Sequence, residues 1–184
     1  MNLPIHTAES APEEARKLLS GISSALGFVP NMIGGMANAP ALLEGYTTLS
    51  GIFEKTSFSA TERQVILLTT SRFNECHYCM AAHSAIAGMQ GVAADVVAAL
   101  REDRPIADER LEALRRFTRQ LVEKRGWADE QEVAAFIAAG FNASQVLEAI
   151  LGVGVKTLSN YANHLLDSPV DDAFEAHRWT PTTD

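Results

Sequence analysis

Apolar residues recur at three- and four-residue spacing along almost the whole chain. No stretch of alternating apolar and polar positions bounded by turn residues is long enough for a sheet. The pattern predicts an all-α fold. Pro12 sits in the first turn of a helix that carries Ala15, Leu18, Leu19, Ile22 and Leu26 on one stripe from Glu13 and stops at Gly27. A short segment restarts at Val29-Pro30-Asn31 and runs to about Asn38, and Pro40 opens another through Leu42, Leu43, Tyr46, Leu49, Ile52 and Phe53. Ser59 with Glu62 forms a capping-box pattern ahead of a helix to Phe73. Helical spacing resumes from about Cys76 to Met89 and again over Ala93 to Leu100. Past Arg104-Pro105, a charged amphipathic helix is expected over Asp108 to Lys124, another over Asp129 to Ala139, and a long last one capped by Asn142 and Gln145. That last helix runs through Leu147, Ile150, Leu151, Val155, Leu158, Tyr161 and Leu165, with Gly152 and Gly154 read as sites of close helix packing. The tail after Ser168-Pro169, residues 168–184, reads as loose or partner-docked chain.

With 184 residues of which 47% are hydrophobic, the chain is long and apolar enough to bury a core, and one domain is the economical reading. A formal charge of -8 and the absence of a long Lys/Arg run argue against nucleic acid or an anionic membrane as partner. There is no signal-like start and no long apolar run, so a cytoplasmic location is the default expectation. The Met32, Met36 and Met80 side chains read as core or pocket lining, and His164 as a core or interface residue.

The two cysteines change the picture because they sit three apart in Cys76-His77-Tyr78-Cys79. So short a loop constrains the unfolded chain little, and stability is a poor reason for the pair. In a reducing compartment the spacing reads as redox chemistry or as half of a metal site. A zinc site needs third and fourth ligands, and the spacing of His77, His83 and Glu75 around the pair is unlike the usual zinc patterns, so no metal is expected. On a helix, His83 falls one turn after Cys79 on the same face. Cys76 lies within disulfide reach of Cys79, and Glu75 joins the stripe if the helix begins early enough. A helix N-terminus and an imidazole both favour the thiolate, which is the form that attacks peroxides and disulfides.

The run Asn74-Glu75-Cys76-His77-Tyr78-Cys79-Met80-Ala81-Ala82-His83 resembles the C-x-x-C-x-x-x-H motif of the alkylhydroperoxidase D and carboxymuconolactone decarboxylase families. The resemblance is clearest from about Val29 to Leu100; the C-terminal helices at about 108–166 are less similar, apart from Asn160-Tyr161-Ala162-Asn163-His164. It implies an alkylhydroperoxidase D-like helical bundle that assembles as trimers or hexamers. It also implies a thiol-dependent peroxidase that reduces hydroperoxides through a Cys76–Cys79 disulfide. Cys79 is then the attacking residue, Cys76 the resolving one and His83 part of a proton relay. The family's relay glutamate, twelve residues before the first cysteine, falls on Gln64, which offers only an amide. Glu75 is therefore the nearest candidate carboxylate. No flavin or nicotinamide fingerprint is present, so no bound cofactor is expected, and electrons would come from an external dithiol such as a thioredoxin- or lipoyl-type reductant. The alternatives are lactone decarboxylation, which has no need of two cysteines, and a non-enzymatic, stress-linked binding role.

Overall fold

The structure, a computed structural model, describes residues 1–180. Its nine α-helices are α1 (Glu13–Leu26), α2 (Asn31–Met36), α3 (Pro40–Phe53), α4 (Ala60–Phe73), α5 (His77–Met89), α6 (Ala94–Arg101), α7 (Glu109–Glu123), α8 (Glu130–Ala138) and α9 (Ala143–Leu166). A short 3-10 helix over Asp172–His177 follows, and there is no strand among the described residues. No single helix among these residues is long and apolar enough to cross a membrane.

The helix starts follow from local chemistry. Ser59 Oγ accepts from the Glu62 amide at 3.2 Å while Glu62 returns a bond to the Ser59 amide at 2.8 Å. Asn142 and Gln145 make the same reciprocal pair at 3.1 Å each way. Each box satisfies donors that the first turn leaves orphaned.

Helix α4 is the axis of the molecule, buried without interruption from Gln64 to Ser71 and packed chiefly against α7, α5 and α9. Its Val65, Ile66 and Leu68 join Phe53, Phe117 and Phe136 in one half of the core. There the Phe136 and Phe141 rings stack at 4.3 Å and 4°. Fully burying such side chains stabilises the fold by about 1.5–3 kcal/mol each. The other half joins α1, α2 and the start of α3 to the cysteine-bearing α5, through Ala15, Leu19, Met36 and Leu43.

Three expectations are corrected. Helix α9 buries a different stripe from the one its large apolar residues define. Leu147, Ile150, Tyr161 and Leu165 are exposed, whereas Ala149, Gly152, Val155, Lys156, Ser159, Asn160 and Asn163 are buried. A Cβ on Gly152 would lie 2.7 Å from both Ile66 Cγ2 and Phe53 Cζ, so this glycine permits close packing as expected; Gly154 has nothing within 4 Å and does not. The second correction concerns residues 168–180, which are docked rather than loose. Phe174 and Trp179 are buried, and Arg101 donates to the carbonyls of His177 and Arg178 at 3.0 Å each. Residues 181–184 of that expectation lie outside the described residues. The third concerns the core half of the His164 reading, since that residue is exposed on the separate chain.

Candidate functional site

The dithiol motif sits on a corner. Helix α4 ends in a Schellman-type turn in which the Cys76 amide donates to Ser71 O at 3.0 Å and the Glu75 amide donates to Arg72 O at 3.1 Å. Glu75 takes the left-handed conformation, φ 53, that this turn requires. Cys76 closes α4 and is at the same time the N-cap of α5, its carbonyl accepting from the Met80 amide at 2.9 Å. Cys79 thus lies in the first turn of α5, where free amides and the helix dipole favour negative charge. Both thiols are buried and unbridged.

Cys79 and His83 line one cavity of about 350 Å³. Its apolar wall comprises Ile22, Leu26, Met32, Ile33, Ile86 and Phe174, and its polar groups include Tyr46 and Lys156. Cys76 does not line it. Asn163 Nδ2 of α9 donates to Cys76 Sγ at 3.7 Å from behind. Neighbouring Asn160 donates to Ser71 Oγ at 3.3 Å and accepts from Asn74 Nδ2 at 3.0 Å, so α9 clamps the corner from below.

The electrostatics separate the two sulfurs. Burial alone pushes the Cys79 thiol up, but the Cys76 thiol as donor, the Lys156 ammonium, and Asn160 and Ser159 outweigh it and bring it down to about 5. Cys76 is pushed well up because it donates to Cys79 and is itself buried. Lys156 is 1% exposed, and its Nζ has no hydrogen-bond partner among the described residues. Burial pulls that ammonium down, while the charge of Cys79 and, after it, Tyr46 and Cys76 hold it up. A buried cation and a thiolate thus stabilise each other.

His83 Nδ1 lies 3.1 Å from Gln64 Oε1, and Gln64 Nε2 donates to Gln90 Oε1 at 3.0 Å. With the Gln64 amide turned this way, its carbonyl accepts from His83 Nδ1–H and leaves a lone pair on Nε2. Desolvation and then the Lys156 charge hold the imidazole well below its ordinary value, so it is neutral. Gln64 therefore contacts His83, as its position relative to the motif implied, but as an orienting amide.

Of the residues singled out in the sequence, the structure brings Cys76, Cys79 and His83 together and leaves Glu75 out. Helix α5 begins at His77, too late for Glu75 to share its stripe, and Glu75 is exposed in the turn and does not line the cavity. His77 is half-exposed and 3.8 Å from Asp167. Tyr78 OH donates to the Asp171 carboxylate, which also accepts from the Asn31 amide at 3.0 Å. No group of three or more His, Cys, Asp or Glu residues among the described residues is placed to hold a metal. Sequence reasoning missed Lys156, whose signal was its register with Gly152, Ser159, Asn160 and Asn163 on one face of α9.

No curated protein matches the chain. Among solved structures it is similar to an uncharacterised peroxidase-related protein from Ralstonia eutropha JMP134 with an alkylhydroperoxidase core, at 21% identity and TM-score 0.82 over 94% of this chain and 93% of that one. A peroxidase-related protein from Silicibacter sp. TM1040 matches at 19% identity and TM-score 0.80, covering 96% and 94%. The debrominase Bmp8, as a cysteine-to-alanine variant in complex with 2,3,4-tribromopyrrole, matches at 20% and TM-score 0.79, covering 96% of each chain. Residues 40–120, which span α3 to most of α7 and hold the dithiol, match the model of the carboxymuconolactone decarboxylase family. The chain is built on the alkylhydroperoxidase D-like helical fold, and within it residues 40–120 are similar to the carboxymuconolactone decarboxylase family.

Proposed function

We propose that the protein is a two-cysteine thiol oxidoreductase that reduces hydroperoxides and is reset by an external dithiol. The observation that carries this reading is the pairing of Cys79, on the cavity wall and held as thiolate beside Lys156, with Cys76 one helical turn away at the N-cap. The Cys79 thiolate attacks the terminal peroxide oxygen and becomes a sulfenic acid. Cys76 condenses with it to a disulfide and releases water. His83, neutral and oriented by Gln64, positions the substrate by accepting the peroxide O–H at Nε2. Glu75 has no part in the scheme. A thioredoxin- or lipoyl-type dithiol would return the electrons, and a reducing compartment such as the cytoplasm suits a dithiol at rest. The exposed stripe of Leu147, Ile150, Tyr161 and Leu165 is the face on which copies of the chain would pack into a homo-oligomer.

Reduced protein treated with an alkyl hydroperoxide and then alkylated should carry a Cys76–Cys79 disulfide by mass analysis. Cys76→Ser should accumulate sulfenic acid on Cys79, and Cys79→Ser should consume no peroxide. Both thiols remaining open to alkylation after peroxide would refute the assignment.

A second reading comes from the similarity to the debrominase over 96% of both chains. The same dithiol would reduce a carbon–halogen bond. The Cys79 thiolate takes the halogen, the carbon takes a proton, and Cys76 displaces halide as the disulfide forms. Bromide release from a brominated pyrrole with a dithiol donor tests it.

A further inference from the structure

The cavity contains a cation whose role in the reduced site, holding Cys79 as thiolate, ends once that sulfur is oxidised. Lys156 comes from the middle of α9, is almost wholly buried, and shares the cavity wall with Cys79 while its Nζ has no hydrogen-bond partner among the described residues. Burying an ammonium costs several kcal/mol unless an opposite charge accompanies it. In the dithiol that charge is the Cys79 thiolate; of the other groups that act on Lys156, Tyr46 from α3 and Cys76 at the N-cap of α5 are a phenol and a thiol. Once Cys79 is part of a disulfide, the counter-charge is gone and the cost of the buried cation remains.

Attack on a hydroperoxide creates a matching need. Breaking the O–O bond puts a negative charge on the departing alkoxide, inside a cavity whose wall is mostly apolar. Neutral His83 is poorly suited to give up a proton, because its one N–H is committed to Gln64.

We propose that Lys156 is the acid of the reaction, giving its proton to the departing alkoxide as Cys79 is oxidised and remaining a neutral amine for as long as the Cys76–Cys79 disulfide lasts. This rests on the hydroperoxide reading above. In the first step the Cys79 S–O bond forms and the peroxide O–O bond breaks. The electron pair leaves on the alkoxide, which takes the Lys156 proton, giving sulfenic acid, alcohol and amine. In the second step the Lys156 amine takes the Cys76 proton, Cys76 sulfur attacks Cys79 sulfur, and the departing hydroxide recovers that proton as water. Reduction by an external dithiol delivers two electrons and two protons, one proton to Cys76 and one to Lys156. The site is neutral overall in both redox states, and no proton is exchanged with solvent.

Proton counting on the wild-type protein tests this directly. Stoichiometric cumene hydroperoxide is added to reduced protein in weakly buffered solution near pH 7.5 with an indicator dye, and disulfide is quantified in parallel. Net proton uptake should be close to zero per disulfide. Uptake of about one proton per disulfide would mean that Lys156 stays charged, overturning the proposal while leaving the dithiol reading intact. If no disulfide forms, both fall.

A second measurement compares leaving groups in Lys156→Met, or in Lys156→Gln if the first variant does not fold. Each protein is assayed at a pH where iodoacetamide alkylation shows Cys79 fully ionised. Cumene hydroperoxide, whose alkoxide needs a proton, should react about 100-fold more slowly than with wild type. Perbenzoic acid, whose carboxylate leaves without one, should slow by less than about threefold. Equal losses with both oxidants, or no loss with either, would refute the role of Lys156.

Discussion

The two faces of α9 invert the usual arrangement of a bundle helix. Its outward face carries Leu147, Ile150, Tyr161 and Leu165, all exposed, while its inward face presents small and polar residues. Lys156, Ser159, Asn160 and Asn163 are each 1% exposed or less. The contrast shows that burial here follows chemistry. The inward face supports a corner holding one thiol and one thiolate, and donors serve that corner better than methyl groups do. Near the start of α9, where it meets Phe53 and Ile66, the same face reverts to tight packing at Ala149 and Gly152.

The largest expected effect comes from removing the inward cation. Without the Lys156 ammonium, Cys79 loses one of the influences that outweigh its burial, so its thiol pKa rises. In wild type, iodoacetamide alkylation should be independent of pH well above 5 and fall below it. In Lys156→Met the midpoint should move up by about two pH units, slowing alkylation at the acid end by about 100-fold. An unmoved midpoint would mean that the helix N-terminus, Cys76, Asn160 and Ser159 stabilise the thiolate without Lys156.

Next in size is one substitution made on each face. Gly152→Ala drives a Cβ into Ile66 and Phe53 and should cost about 1–3 kcal/mol in denaturant unfolding. Gly154→Ala meets nothing and should stabilise the helix by about 1 kcal/mol. Effects of the same sign at both positions would break the comparison.

The outward stripe should matter for assembly more than for the fold. Leu147→Lys with Ile150→Lys should change unfolding of the separate chain by less than about 0.5 kcal/mol per site. Sedimentation should show a smaller particle than wild type if this face joins copies. An unchanged particle size would assign assembly to another surface.

The smallest effect on turnover belongs to Glu75. Glu75→Gln should leave peroxide turnover unchanged, since the residue is exposed outside the cavity. Glu75→Gly should stabilise the protein by about 0.5–1 kcal/mol by relieving the left-handed backbone. A tenfold loss of turnover in Glu75→Gln would restore it to the relay.

Helix limits were legible because caps are local. The predicted Glu13–Leu26 and Pro40–Phe53 helices match the observed ones, and both capping boxes form. The phase of α9 was not legible, since periodicity assigns large apolar residues inward and takes a lysine for surface. What offsets the burial of Lys156 is a thiolate carried by another helix, a long-range fact that one segment cannot display. The motif placed Cys76, Cys79 and His83 correctly relative to one another, and Gln64 opposite His83. It misplaced Glu75 because the four-residue rule holds only inside a helix, and α5 starts at His77. The tail after Ser168-Pro169 read as loose or partner-docked, although Phe174 and Trp179 were the signs of docking onto its own chain.

That docked tail has a consequence for how the protein can diversify. Phe174 forms part of the cavity wall, and Asp171 ties the segment to Tyr78 between the two cysteines and to the start of α2. In the proposed chemistry the reacting sulfurs and their charged neighbour belong to α5, its N-cap and α9, whereas this wall belongs to a separate stretch of chain beyond both. Exchanging the side chain at Phe174 would reshape what the cavity admits without touching the groups that make and break bonds. Asp171 is the position such exchanges must spare, because losing it would loosen the motif itself. Substrate range and reactivity are therefore separable under selection, and a library confined to residues 173–177 is the economical way to change the first while retaining the second.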